Sequence, residues 1–135
     1  MPYYRLFYHF VWTTKHRLPL ITDHNREALY RAIMAKTKQL DGIPHALNGM
    51  EDHVHLVVTL PPTLALAEFI GQIKGSSSFV ASRQANGEAF GWQTEYGVLS
   101  VSESHLPYVI EYVKNQQTHH SQNSLDTKLE RFDLS

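Results

Sequence analysis

The spacing of apolar side chains changes period several times along the chain, and each change marks an element. From Tyr3 to Thr14 the period is two, with Leu6, Tyr8, Phe10 and Trp12 on one face and Arg5, Phe7, His9 and Val11 on the other, which predicts a long first strand. A loop through Pro19 follows. Thr22 or Asp23 is placed to cap a helix whose apolar positions Ala28, Leu29, Ile33 and Leu40 recur at helical spacing until Asp41-Gly42 ends it. A short strand from His45 to Met50, a turn at Glu51-Asp52 and a β-type run from Asp52 to Val58 predict a hairpin. Pro61-Pro62 stops that run, and Thr63 opens a second helix carrying Leu64, Leu66, Ala67, Phe69, Ile70 and Ile73. Lys74-Gly75-Ser76-Ser77-Ser78 is either a kink in that helix or a break between two, with Asn86-Gly87 as the end. Trp92 to Glu103 is extended, bent or divided at Gly97. From His105 to about His119 the helical period returns, with Leu106, Val109, Ile110 and Val113 as the apolar stripe. Beyond Ser121 the chain is polar until Leu129 and Phe132, which suggests a loosely docked end.

The order strand, helix, strand, strand, helix, strand, helix gives an α+β fold of the ferredoxin-like (RRM-like) kind. Its expected form is a βαββαβ antiparallel sheet with helices packed on one side, plus an added C-terminal helix. Residues 1–120 are expected to form one domain and 121–135 a tail.

Composition narrows the chemistry. No apolar run approaches the length that spans a bilayer, and the first residues lack the basic and apolar regions of an export signal, so a cytoplasmic protein is expected. The absence of cysteine removes disulfides and thiolate ligands, leaving any metal to His, Gln, Asn and carboxylates. A net charge of −1 argues against a general polyanion binder. Basic residues nevertheless gather at Lys15-His16-Arg17 and at Arg26, Arg31, Lys36 and Lys38, either a local basic surface or a solvated helix face.

The candidate chemistry starts at Asp52-His53-Val54-His55-Leu56-Val57-Val58. Strand alternation puts His53, His55, Val57 and Thr59 on one face and Val54, Leu56, Val58 and Leu60 on the other, so a rigid strand holds two imidazoles close enough for one ion. In the last helix Tyr108, Tyr112 and Gln116 are four residues apart and share a side that adjoins the apolar stripe. If that stripe packs on the open sheet face, Tyr112 and Gln116 approach the two histidines. The set then offers three neutral ligands, His53, His55 and Gln116, for Mg²⁺ or Mn²⁺ and one hydroxyl nucleophile, Tyr112. Transesterification at a phosphodiester needs such a set, because a hard cation offsets phosphate charge and favours loss of the tyrosine proton. His9 is read as a core or rim histidine. His119-His120 can touch phosphate or metal, or complement the helix dipole.

At this point the sequence resembles the single-tyrosine HUH transposases of the insertion sequence 200/605 group. The likeness lies in Phe10-Val11-Trp12-Thr13-Thr14-Lys15-His16-Arg17, Met50-Glu51-Asp52-His53-Val54-His55-Leu56-Val57-Val58 and Ile73-Lys74-Gly75-Ser76-Ser77. It continues in Trp92-Gln93, Tyr96-Gly97, Ser100-Val101-Ser102 and Tyr112-Val113-Lys114-Asn115-Gln116 with His119-His120. The chain departs from the family pattern at Thr94-Glu95, where glycine often precedes the tyrosine. The resemblance implies a transposase that cuts and rejoins single-stranded DNA at hairpin-marked element ends, leaving a 5′-phosphotyrosine and a free 3′-OH. It implies His53, His55 and Gln116 as metal ligands and Tyr112 as nucleophile. It also implies a nucleoid-associated homodimer in which the tyrosine helix of one subunit can serve the histidine pair of the other. Lys15, Arg17, Lys74, Ser76, Lys114, His119 and His120 are the candidate DNA contacts. The alternative within the same chemistry is a domesticated version that processes palindromes scattered in a genome, which the sequence does not separate from the first. The reading from another class is a non-catalytic module that stacks single strands on Tyr3, Phe7 or Trp92.

Overall fold

The computed structural model describes residues 2–84, 89–121 and 124–133. Four strands form one antiparallel sheet: β1 (Phe7–Thr13), β2 (Ile43–Met50), β3 (His53–Thr59) and β4 (Gly97–Val101), in spatial order β2-β3-β1-β4. Helices α1 (Arg26–Gln39) and α2 (Leu66–Gln84) connect them in the βαββαβ order, and α3 (Leu106–Lys114), α4 (Gln116–Ser121) and α5 (Thr127–Glu130) follow. The expected α+β, ferredoxin-like architecture is the one observed.

Alternation along β1 and β3 builds two cores. Phe10, Trp12, Val54, Leu56, Val58 and Leu60 face Leu29, Ile33, Phe69, Ile70 and Ile73 of the two connecting helices. Phe7, Val57 and Val101 face the opposite way and meet Val109 and Val113 of α3. Every residue of β3 is therefore buried. Burying a Val side chain contributes about 1.5–3 kcal/mol, and α3 is too short to hold its shape alone, so this second core fixes where the helix lies.

The same packing removes the stacking platform of a non-catalytic module. Phe7 is buried beneath α3, and Trp92 packs edge-on against Trp12 and Phe90. Of the three aromatic residues proposed for stacking, Tyr3 alone stands exposed.

Several boundaries differ from expectation for identifiable reasons. The first strand begins at Phe7 because its neighbours stop there, paired as Phe7 with Thr59 and Phe7 with Val101. The first helix starts at Arg26 rather than beside Thr22, since the Asn25 side chain closes the preceding turn by accepting from the Thr22 N–H at 2.8 Å and donating to the Leu20 carbonyl at 2.9 Å. The Lys74–Ser78 stretch lies inside α2, which runs unbroken, and the Ser77 hydroxyl donates to the Ile73 carbonyl of the preceding turn at 2.6 Å. The end expected at Asn86-Gly87 lies outside the described residues. The predicted last helix is divided at Asn115 (φ −104°, ψ 28°).

Two glycines answer to close approaches. A Cβ on Gly49 would stand 2.1 Å from the His53 carbonyl oxygen, so the hairpin that presents the two histidines closes only around glycine. A Cβ on Gly97 would stand 2.1 Å from the Arg131 carbonyl oxygen, because the end of the chain returns across the start of β4. The expectation of a loosely docked end is corrected here: Leu129 is buried, and the Asp126 side chain caps α5 by accepting from the Lys128 N–H.

Candidate active site

β3 turns the His53 and His55 rings onto the face covered by α3, and α3 lays Tyr112 across them, its ring centroid 6.3 Å from that of His55. Asn48 on β2 donates to the Lys114 carbonyl at 3.0 Å and ties the end of α3 to the hairpin. Just beyond that end, Gln116 is fully buried, with its amide oxygen 3.1 Å from His53 Nε2. Thus the four residues expected to act together meet within one chain.

Each histidine is held from behind. His53 Nδ1 lies 2.7 Å from Asp52 Oδ1, so Nδ1–H donates to the carboxylate and Nε2 faces the pocket. His55 Nδ1 lies 2.8 Å from His9 Nε2, and the two rings share one proton. Burial holds His9 at a pKa of about 3, with the neighbouring His55 adding to the shift, so His9 remains neutral.

The tail supplies a further group. Glu130 Oε1 is 3.1 Å from His55 Nε2 and 3.4 Å from His53 Nε2; its Oε2 accepts from Gln116 Nε2 at 3.0 Å and from the Tyr112 hydroxyl. The Tyr112 oxygen also accepts from the Asp126 N–H at 3.0 Å, and its ring stacks on His119 at 4.3 Å. Covered in this way, Tyr112 is only 3% exposed. Burial, reinforced by the Glu130 carboxylate, raises the Tyr112 pKa well above the ordinary phenol value. Burial opposes charge on His53, but its hydrogen bonds to Asp52, Glu130 and Gln116 prevail and raise it to about 9. Glu130 stays ionised: burial works against it, while the facing histidines and Tyr112 hold its pKa far below the usual carboxylate range.

This donor set fits a hard divalent cation. Ligands at adjacent octahedral positions around an ion bound at about 2.1 Å stand roughly 3 Å apart, close to the 3.1 Å between His53 Nε2 and Gln116 Oε1, the 3.1 Å between His55 Nε2 and Glu130 Oε1 and the 3.4 Å between His53 Nε2 and Glu130 Oε1. His120 borders the same pocket, its Nε2 3.2 Å from Gln116 Oε1 and 3.6 Å from Glu130 Oε1; His53, His120 and Glu130 form a cluster able to hold a metal ion.

The remaining candidates are spread around this centre. Lys15 is exposed in a single 3-10 turn, Lys15–Arg17, and Arg17 bonds Asp52 at 3.1 Å and lies over the Phe132 ring. Lys114 is exposed at the end of α3. His119 and His120, read from sequence as able to touch phosphate or metal, flank the nucleophile candidate and the ligand pocket. Lys74 Nζ donates to the carbonyls of Gln93, Thr94 and Glu95 at 2.8, 3.1 and 3.0 Å, so its ammonium shapes the loop that includes Thr94-Glu95. Burial lowers that lysine to about 8. Ser76 is half-buried on α2.

Sequence reasoning missed three participants. His9 carried a usable signal, since alternation already placed it on the same face as Phe7 and Val11. Asp52 adjoins the first histidine. Glu130 gave no signal, lying 75 residues from His55 in a polar segment.

The chain belongs to the family of IS200-like transposases, whose pattern matches residues 2–116, and is on that ground an enzyme acting on DNA. It is similar to the ISDra2 transposase TnpA of Deinococcus radiodurans, 29% identical over 120 residues that cover 84% of this chain and 85% of the relative. A crystal structure from Deinococcus radiodurans R1, described as a candidate transposase, superposes with a TM-score of 0.67 at 27% identity, covering 86% of this chain and 95% of that one. A REP-associated tyrosine transposase bound to a REP hairpin superposes with a TM-score of 0.66 at 17% identity, over 89% of this chain and 74% of that one, a likeness of fold.

His9→Ala tests the support behind His55. It removes the group that fixes the His55 ring while leaving every pocket donor in place, and metal affinity is expected to fall about 10–100-fold by calorimetry. Unchanged affinity would reduce His9 to a packing residue.

Proposed function

We propose that the protein cleaves and rejoins single-stranded DNA at hairpin-marked ends, with Tyr112 as nucleophile and His53, His55 and Gln116 as ligands of Mg²⁺ or Mn²⁺. The observation that carries the reading is the meeting of Tyr112 with both histidines and Gln116 on one sheet face. A bound divalent ion would polarise the scissile phosphate and offset the charge that develops as Tyr112 attacks. The Tyr112 oxygen gives up its proton and forms a bond to phosphorus, the bond from phosphorus to the 3′ oxygen breaks, that oxygen takes up a proton as a 3′-OH, and the DNA 5′ end is retained as a phosphotyrosine. Attack by a 3′-OH on that linkage rejoins the strand and restores the hydroxyl of Tyr112. Storing the bond energy on the protein is what separates strand transfer from hydrolysis, and it accounts for a tyrosine at this position.

Binding is proposed to involve a hairpin, as in the REP-associated neighbour. Lys15, Arg17, Lys114 and Ser76 would meet phosphates together with Lys74, which also shapes the loop at Gln93–Glu95. Net charge near zero confines this attraction to the local surface. The reading includes a homodimer and a cytoplasmic, nucleoid-associated location. Because Tyr112 meets the histidines of its own chain, the arrangement favours cleavage in cis. Residues 1–120 would form the catalytic domain, with 121–135 as a C-terminal segment.

The test is to incubate the full chain with single-stranded DNA carrying its element-end hairpin and Mn²⁺. A denaturation-resistant protein–DNA species is expected, and its absence on the correct ends would overturn the assignment. Mn²⁺ affinity should also depend on pH. A proton on His53, bound with a pKa of about 9, must leave before the ion is held, so affinity is expected to rise about tenfold per pH unit below that value and then level off. A flat calorimetric profile from pH 6 to 9 would contradict ligation by His53.

A further inference from the structure

We infer that Glu130 is a metal donor of the resting protein, so that the C-terminal segment is a built part of the metal centre. The inference rests on the metal site proposed above and extends it to a residue outside the matched region, which ends at residue 116.

Three sets of observations meet here. The first is the chemistry of the pocket. His53, His55 and Gln116 are neutral as ligands, and a divalent cation held by neutral donors alone keeps its full charge in a buried setting. Glu130 adds one negative charge with Oε1 3.1 Å from His55 Nε2 and 3.4 Å from His53 Nε2. A carboxylate is also the donor that hard cations favour.

The second is that the segment is anchored before any metal is considered. Leu129 is buried, the Asp126 side chain caps α5, and the Asp126 N–H donates to the Tyr112 hydroxyl. The Phe132 ring lies under the Arg17 guanidinium, which itself bonds Asp52. The third is the backbone passage beside Gly97, where the Arg131 carbonyl leaves no room for a Cβ. A tail that merely rested on the surface would not need a glycine on the neighbouring strand.

The division of work within the carboxylate follows from its two oxygens. Oε1 points at the histidine nitrogens, and Oε2 is engaged by Tyr112 and Gln116. The second oxygen thereby holds the Gln116 amide with its own oxygen toward His53.

The experiment uses the full chain and Mn²⁺ alone, comparing wild type with Glu130→Gln, Gly97→Ala and His55→Ala. Free Mn²⁺ is read by electron paramagnetic resonance, and the order of the segment by hydrogen exchange of the amides of residues 127–131. Glu130→Gln is nearly isosteric and is expected to weaken Mn²⁺ binding at least about tenfold. In the wild type Mn²⁺ is expected to slow exchange across 127–131, and in Glu130→Gln to leave it unchanged. Gly97→Ala alters no donor, and by displacing the Arg131 backbone it is expected to reproduce the loss of affinity.

If Glu130→Gln binds Mn²⁺ as the wild type does, the inference fails. It fails likewise if affinity is unchanged and hairpin DNA binds more tightly, since the carboxylate would then only occupy the place of a phosphate. These results differ from a failure of the underlying site, in which His55→Ala retains wild-type Mn²⁺ affinity. Loss in His55→Ala with no effect in Glu130→Gln or Gly97→Ala would remove Glu130 from the centre and leave the other ligands standing.

Discussion

Tyr112→Phe is expected to remove the covalent protein–DNA species and to lower strand cleavage by at least about 10³-fold, while hairpin binding stays close to wild type. The substitution deletes one oxygen. The ring keeps its contacts with His55 and His119, and Val109 and Val113 continue to hold α3 on the sheet. Two hydrogen bonds disappear, one to Glu130 and one from the Asp126 N–H, at a cost on the order of 1–3 kcal/mol with most of the fold unaffected. A large fall in cleavage with a small fall in thermal stability therefore isolates the hydroxyl as the reacting group. Tyr108, one helical turn earlier, is half exposed and stacks on His105 instead of facing the histidine pair. An adduct that survives Tyr112→Phe would make another tyrosine the nucleophile.

His55→Ala is expected to have a comparable effect through a different cause. His55 is completely buried, with one nitrogen on His9 and the other facing the pocket. Its loss should reduce Mn²⁺ affinity at least about 100-fold and abolish cleavage at ordinary metal concentrations. Hairpin affinity should change by no more than about threefold, because Lys and Arg contacts to phosphates supply most of it. Calorimetry with Mn²⁺ and a separate gel-shift titration in chelator measure the two quantities independently. Parallel losses in both would mean that His55 supports the fold rather than the ion, and thermal melting in chelator would show this directly.

The elements that determine the site were largely legible in the sequence. Alternation in the strand from Asp52 to Val58 assigned both histidines to one face, and the i, i+4 spacing of Tyr112 and Gln116 assigned them to one side of a helix. What joined the two was the apolar stripe of Val109 and Val113, whose only available partner was the sheet face left open by α1 and α2. Long-range hydrophobic matching of this kind can be argued from pattern because each surface must be covered by something.

Other features were hidden for equally physical reasons. The break at Asn115 depends on local backbone angles that the apolar period does not register, and Gln116 reaches the pocket despite it. The hairpin presenting the histidines relies on Gly49, whose need for glycine becomes visible only when the His53 carbonyl is placed beside it. Lys74 was a candidate DNA contact only through the family resemblance. Its role in the fold depends on three carbonyls from a loop about twenty residues away. Glu130 was least accessible of all, since a single carboxylate in a polar stretch has no periodicity to reveal its target.

The near-complete burial of Tyr112 sets an order of events. If Tyr112 attacks a phosphate as proposed, the Glu130 carboxylate that accepts from its hydroxyl stands where that phosphate would come, so turnover would begin with residues 126–131 leaving their seat. That opening is a local unfolding equilibrium, governed by the packing of Leu129, the Asp126 cap and the fit at Gly97. The rate of the proposed cleavage would then be the intrinsic rate at the phosphate multiplied by the fraction of molecules that stand open. Changes at Leu129, Asp126 or Gly97 would then tune how often the proposed cleavage occurs without altering the nucleophile or the histidine ligands.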